Sequence, residues 1–164
     1  SPVAFRARRP PSDRLMRLVV QRVRKASVEV DGEVCGQIQS GLAVLVGVHV
    51  DDTDRDIEFC GDKTVHLRIF PDDDGRMNRS VLESGGGVLA ISQFTLYGDC
   101  RKGRRPSFGT AAEPEVAERL YEMYIQRVES HGVRVERGVF GTHMQVLIDN
   151  DGPVTLLIES PHSE

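Results

Sequence analysis

Asp149-Asn150-Asp151-Gly152-Pro153-Val154-Thr155 lies between two apolar, strand-like runs, Met144 to Ile148 and Val154 to Ile158. By local rules Asn-Asp-Gly-Pro between such runs is a hairpin turn, which predicts that the last two strands fold back on each other. The same residues allow a second reading. A Gly-Pro bond is one of the few for which a cis peptide is accessible. Glycine and proline also expose backbone carbonyls that no long side chain shields. A short rigid loop of this kind can present a recognition surface, and the rest of the chain must decide between turn and site.

Working outward, Arg17 to Val23 and Ser27 to Val30 read as strands, and Val34 to Gln39 pairs back across the Asp31-Gly32 turn. Leu42 to Val48 is almost continuously apolar, as suits a central strand buried on both faces. The run Asp51-Asp52-Thr53-Asp54 has N-cap chemistry, and Ile57, Cys60, Thr64 and Leu67 follow at helical spacing. Pro71 to Gly75 is a turn and Gly85-Gly86-Gly87 a connection. Val88 to Phe94 is a second strongly apolar strand. A helix starts near Pro114, with Val116, Ala117, Leu120, Tyr121, Tyr124 and Val128 as its stripe and Gly132 as its stop. Val133, Val135 and Val139 alternate as in a half-buried strand. Strands outnumber helices and do not alternate with them, which disfavours a doubly wound parallel fold. The expected class is α+β: one domain over residues 16–164, with a mostly antiparallel or mixed barrel-like sheet and two helices packed on one side.

The 164 residues carry a net charge of −4, distributed unevenly. Residues 1–15 are Pro/Arg-rich, with Arg6, Arg8, Arg9 and Arg14 against Asp13, a net +3 that leaves −7 on the remainder. This stretch reads as a disordered extension, either nonessential or the remainder of an organelle transit peptide. An acidic body argues against binding polyanions over the whole surface, yet leaves room for a local basic site. Cys35, Cys60 and Cys100 are odd in number and lack CxxC spacing. A reducing setting, the cytoplasm, is therefore expected.

Familiar catalysts are missing from the pattern. His49, His66, His131, His143 and His162 form no HxH or HExxH set, and neither a GxSxG elbow nor a GxxxxGK[ST] loop occurs. No metal or cofactor is expected. An enzyme built this way would lean on backbone groups or on its substrate. Ser92-Gln93-Phe94-Thr95-Leu96-Tyr97 sits where a buried strand ends, and N–H groups leaving a sheet there can form an oxyanion hole. Thr95 or Ser92 could be a nucleophile, but neither has a nearby activating base in the sequence. Arg101, Lys102, Arg104 and Arg105 put four cations in five residues, with Phe108 close behind as a stacking face. Such a loop suits phosphate contacts.

The segments Ser92-Gln93-Phe94-Thr95-Leu96-Tyr97 and Asn150-Asp151-Gly152-Pro153-Val154-Thr155 resemble the two signature motifs of the D-aminoacyl-tRNA deacylases. Further similarity lies in Gln21-Arg22-Val23, Leu67-Arg68-Ile69-Phe70, Met77-Asn78 and Arg101 to Phe108, so that it spans residues 16–160. The resemblance implies a homodimer that hydrolyses the ester between a D-amino acid and the terminal adenosine of tRNA, and glycyl esters as well. It implies that Gly152-Pro153 is a cis dipeptide inserted into the partner's active site, where its carbonyls meet the substrate amino group and an L side chain clashes. Arg22 matches the residue that holds this loop. Phe94 would give its N–H to the oxyanion, with Ser92 and Gln93 shaping the pocket. Phe140 and Met144 would contact the adenosine. Thr95 and Thr155 occupy positions once considered nucleophilic, whereas the family mechanism relies on the tRNA 2′-hydroxyl and backbone groups. Two alternatives stay open: a noncatalytic nucleic-acid-binding protein using the Arg101–Arg105 loop, and the sister deacylase that removes L-alanine with a trans Gly-Pro.

Overall fold

Strand β1, Arg17–Val30, runs through the whole sheet, and every other feature is placed by it. The computed structural model describes residues 15–161, so residues 1–14 of the expected extension lie outside the described part, as does His162. Leu15 is described, and its side chain is buried. The two strands expected within Arg17 to Val30 are one. Its first half pairs antiparallel with β3, Gly41–Gly47, and its second half with β2, Glu33–Ile38. Strand β3 then pairs in parallel with β6, Gly87–Ser92, and β6 in parallel with β7, Val135–Arg137. The sheet is mixed and curls toward closure. A Cβ on Gly36 of β2 would lie 2.6 Å from the carbonyl oxygen of Arg137 in β7, so only glycine lets the two sides approach this closely.

The other edge of β1 carries the largest departure from the sequence reading. Residues Gln145–Glu159 form a single strand, β8, and not two strands joined by a hairpin turn. Both halves pair antiparallel with β1, Glu159 to Thr155 against Arg17 to Gln21 and Asn150 to Gln145 against Val23 to Glu29. Two segments antiparallel to one strand run the same way, so the chain does not reverse at Gly152-Pro153. It bulges instead: β8 advances from Asn150 to Thr155 while β1 advances only from Val23 to Gln21. The extra residues are pushed off the ladder as a protruding loop.

Helices α1, Asp54–His66, and α3, Pro114–Ser130, pack together on one face. Thr53 and Asp56 form a capping box at the start of α1. Asp62 on α1 accepts from Arg127 at 2.8 and 3.0 Å and lies 2.7 Å from Nε2 of His131, which pins the two helices. A third helix corrects the count of two: Val81–Ser84, α2, is a single turn closed by Ser80 and Glu83. A two-stranded ribbon, β4 at Phe70–Pro71 and β5 at Met77–Arg79, precedes it. The expected stripe of α3 shifts slightly, since Val116 is exposed and Ile125 takes a core position.

Alternation along β3 and β6 feeds two cores. Leu42, Val44, Val46, Val88 and Ala90 face the helices, while Ala43, Leu89 and Ile91 face the barrel interior. At roughly 1.5–3 kcal/mol per fully buried aliphatic side chain, this doubly buried pair anchors the segment that follows β6.

Candidate active site

Strand β6 ends at Ser92, two residues before the expected Phe94, because the chain tightens into a 3₁₀ turn over Phe94–Tyr97. Tyr97 fixes that turn from below. Its buried hydroxyl lies 3.1 Å from the Leu15 carbonyl and 3.0 Å from that of Gly47. Burial, the largest cause, pushes its phenol pKa well up, so it stays protonated and donates. Arg17 donates to the Leu96 carbonyl at 2.7 Å and stacks over the Tyr97 ring. The Gln93 N–H is used by the Val46 carbonyl at 2.8 Å. As first residue of the helical turn, Phe94 has an N–H with no acceptor one turn earlier, the condition for a backbone anion donor.

This turn forms one wall of a cavity of about 550 Å³. Ser92, Gln93, Phe94 and Thr95 line it together with Phe140, Met144 and residues at the start of α3. Phe94 keeps 57% of its surface exposed and meets Phe108 edge-on at 5.1 Å. The Gln93 amide donates to Thr95 Oγ1 at 2.9 Å. Among the described lining residues only Glu113 is titratable, and no histidine or cysteine joins it. Ser92 and Thr95 therefore line the cavity without a histidine beside them in its lining.

The other predicted residues gather elsewhere. Arg22, Gly152, Pro153 and Thr155 are absent from this cavity's lining. Gly152 and Pro153 are exposed, and the bond between them is cis. Arg22 donates from Nε to the Asp151 carbonyl at 3.0 Å and from Nη1 to the Ile69 carbonyl at 2.6 Å. Thr155 Oγ1 accepts from the Asn150 amide at 3.1 Å. Arg101, Lys102, Arg104 and Arg105 are all exposed in the loop after the 3₁₀ turn. Arg101 is held bidentately by Asp99 at 2.9 and 2.7 Å, which brings the Asp99 carboxyl down to about 2. Arg104 and Arg105 make no ion pair among the described residues, so their charge faces outward. Sequence reading gave no individual role to Arg17, Tyr97 or Asn150, whose roles depend on partners far away in the chain.

A cavity lined by the 3₁₀ turn after β6, with hydroxyl, amide and aromatic side chains and the carboxylate of Glu113, is the candidate site that this fold offers. The comparisons give the family. Residues 19–159 match the family model described as D-Tyr-tRNA(Tyr) deacylase, and the chain belongs to that family. A Brevibacillus brevis D-aminoacyl-tRNA deacylase is 58% identical over 145 residues, covering 88% of this chain and 100% of that protein. One from Fervidobacterium nodosum is also 58% identical, covering 88% and 97%. Among solved structures, a c-Myc DNA unwinding element binding protein superposes with a TM-score of 0.84 at 39% identity, covering 89% of this chain and 99% of that one. A probable eukaryotic D-amino acid tRNA deacylase superposes at 0.77 with 19% identity, covering 88% and 98%, a likeness of fold alone.

Proposed function

We propose that this chain is a homodimeric hydrolase that cleaves the ester between a D-amino acid, or glycine, and the terminal adenosine of tRNA, as a proofreading step in the cytoplasm. The observation that carries this reading is the separation of the two signature segments. Ser92 to Thr95, Phe140 and Met144 line a cavity, while Gly152-Pro153 protrudes from another part of the same chain. Each half of the site is incomplete alone. A second copy that inserts its loop completes both.

Strand β8 supports a dimer. It pairs only with β1 among the described strands, and it exposes Leu147 at 50% and Leu157 at 58%. A 15-residue edge bearing leucines is a surface that proteins ordinarily cover.

In the assembled site, Phe140 and Met144 hold the adenosine, and Ser92 and Gln93 shape the pocket around the ester. The Phe94 N–H, with Thr95 beside it, stabilises the oxyanion as water adds to the ester carbonyl. The substrate's own 2′-hydroxyl, vicinal to the ester, accepts a proton from that water as it passes its own to the departing 3′-oxygen, in place of a side-chain base. Cleavage of the acyl–oxygen bond then frees the amino acid and leaves the 3′-hydroxyl on tRNA. The partner's Gly-Pro carbonyls accept the substrate ammonium and leave no room for an L side chain, so selectivity comes from a clash. Thr155 acts through the loop it braces. Lys102, Arg104 and Arg105, with Arg101, contact the tRNA backbone.

Release of amino acid from D-Tyr-tRNA and L-Tyr-tRNA tests this directly. Rapid release from the D-ester only is expected; equal rates, or no release from the D-ester, overturn the reading. A second reading, noncatalytic nucleic-acid binding, is favoured by the outward-facing Arg104 and Arg105. It predicts salt-dependent binding that needs no aminoacyl ester.

A further inference from the structure

The loop that carries Gly152 and Pro153 is closed at its base by one side chain. Opposite Arg22 the β1–β8 ladder breaks, and β8 runs from Asn150 to Thr155 while β1 covers only Val23 to Gln21. Nothing in the ladder itself fixes how far those extra residues stand off the sheet. The Asn150 amide spans the gap. Its Oδ1 accepts from the Val154 N–H at 2.7 Å, and its Nδ2 lies 3.2 Å from the Val154 carbonyl. These two contacts imitate the paired N–H and C=O of a strand neighbour, so the amide stands in for the missing ladder rung. Nδ2 also lies 3.1 Å from Thr155 Oγ1 and 3.1 Å from Gln21 Oε1. Two amide hydrogens thus serve three acceptors on both strands. The amide orientation is fixed chemically, because a backbone N–H can only donate and must face the oxygen.

We propose that Asn150 is the positioning residue that sets the height of the Gly152 and Pro153 carbonyls above the sheet, and with it the chiral selectivity of the partner's site. This rests on the deacylase reading above. Arg22 grips the loop on one side through the Asp151 carbonyl; Asn150 ties its two ends together. With one tie removed the loop can retreat by a fraction of an ångström. A filter that works by steric exclusion fails first for the excluded substrate. Loosening therefore raises hydrolysis of the L-ester, whereas a general loss of stability would lower hydrolysis of every ester.

The test measures release from D-Tyr-tRNA, L-Tyr-tRNA and glycyl-tRNA by the wild type, Asn150→Ala and Asn150→Asp. Asn150→Ala removes every contact. Asn150→Asp keeps the acceptor facing Val154 N–H but sets a carboxylate against the Val154 carbonyl. The D-over-L ratio is expected to drop about tenfold in Asn150→Ala, the scale of one lost hydrogen bond, with a smaller drop in Asn150→Asp. L-ester hydrolysis should rise in absolute rate, and glycyl-tRNA, which has no side chain to exclude, should change least. A ratio within about twofold of wild type overturns the proposal, even where D-ester hydrolysis falls. If Asn150→Ala does not fold, Asn150→Asp and Gln21→Ala, which deletes a single acceptor, are judged by the same ratio. A wild type that does not discriminate D from L contradicts the deacylase reading itself, and is thereby distinguished from a failure of the Asn150 role.

Discussion

Arg22 Nε donates to the carbonyl oxygen of Asp151 at 3.0 Å, across the bulge between Gln21 and Val23 where β8 runs ahead of β1. The same guanidinium reaches the Ile69 carbonyl at 2.6 Å, so it links the loop to the segment that follows α1. Hydrogen bonds from a charged donor contribute about 1.5–3 kcal/mol each. Arg22→Ala should therefore lower the rate on D-Tyr-tRNA by roughly 10- to 100-fold with the fold retained, as read by steady-state kinetics beside circular dichroism. Arg22→Lys should recover little, because a single ammonium cannot span two carbonyls in a fixed fork. Wild-type kinetics for Arg22→Ala would contradict this role.

Leu157 lies on β8 with 58% of its surface exposed, so a charge there should cost the monomer little. In the proposed dimer it faces the other copy. Leu157→Arg is expected to sediment as a monomer and to lose most activity on D-Tyr-tRNA. A monomeric variant with wild-type rates would show that one chain is sufficient.

Arg104 and Arg105 point their charge away from the body. Replacing both with alanine should raise KM for aminoacyl-tRNA roughly tenfold, flatten its salt dependence and leave kcat nearly constant. The same variant assayed on an aminoacyl-adenosine, which has no tRNA backbone, should show a smaller change. Equal losses on both substrates would move the loop's role into the chemical step.

Asp52 gives a pH signature. Its carboxylate accepts from the Met16 and His49 N–H groups, each at 2.7 Å, yet burial outweighs these bonds and raises its pKa to about 7. The folded state thus holds a proton that the unfolded chain releases near 3.8. This contribution to stability is fully present below about pH 4 and is lost as pH rises toward 7, with an upper bound on the order of 4 kcal/mol. Denaturant midpoints measured across that window should fall for the wild type relative to Asp52→Asn, which cannot ionise. Parallel curves for the two proteins would contradict the shift.

The central pair of the sheet and the two long helices were legible because their signals are local. Leu42 to Val48 is apolar on both faces, Thr53 begins a capping box, and Pro114 opens α3. The same is true of the segment after β6, where an apolar strand gives way to polar residues. The course of β8 was not legible. Nothing in Asn150 to Thr155 says whether the flanking runs pair with each other or both pair with β1, and the hairpin rule assumes the first. Helix α2 was hidden by its length, although Ser80 and Glu83 have capping-box spacing. The role of Asn150 needed Gln21, 129 residues away, to be seen beside it.

Complementation between two inactive chains tests the cross-subunit site most directly. Gly152→Ala spoils the loop: its φ is +141°, and a Cβ would lie 2.8 Å from Val154 Cγ2 and 2.9 Å from Val154 N. Ala112→Trp fills the cavity that this residue lines. Each homodimer should be inactive on D-Tyr-tRNA. A mixture allowed to exchange subunits pairs an intact cavity from one chain with an intact loop from the other, and activity should return to a substantial fraction of wild type. A mixture that stays as inactive as its parents, although exchange has taken place, would contradict a site shared between two copies.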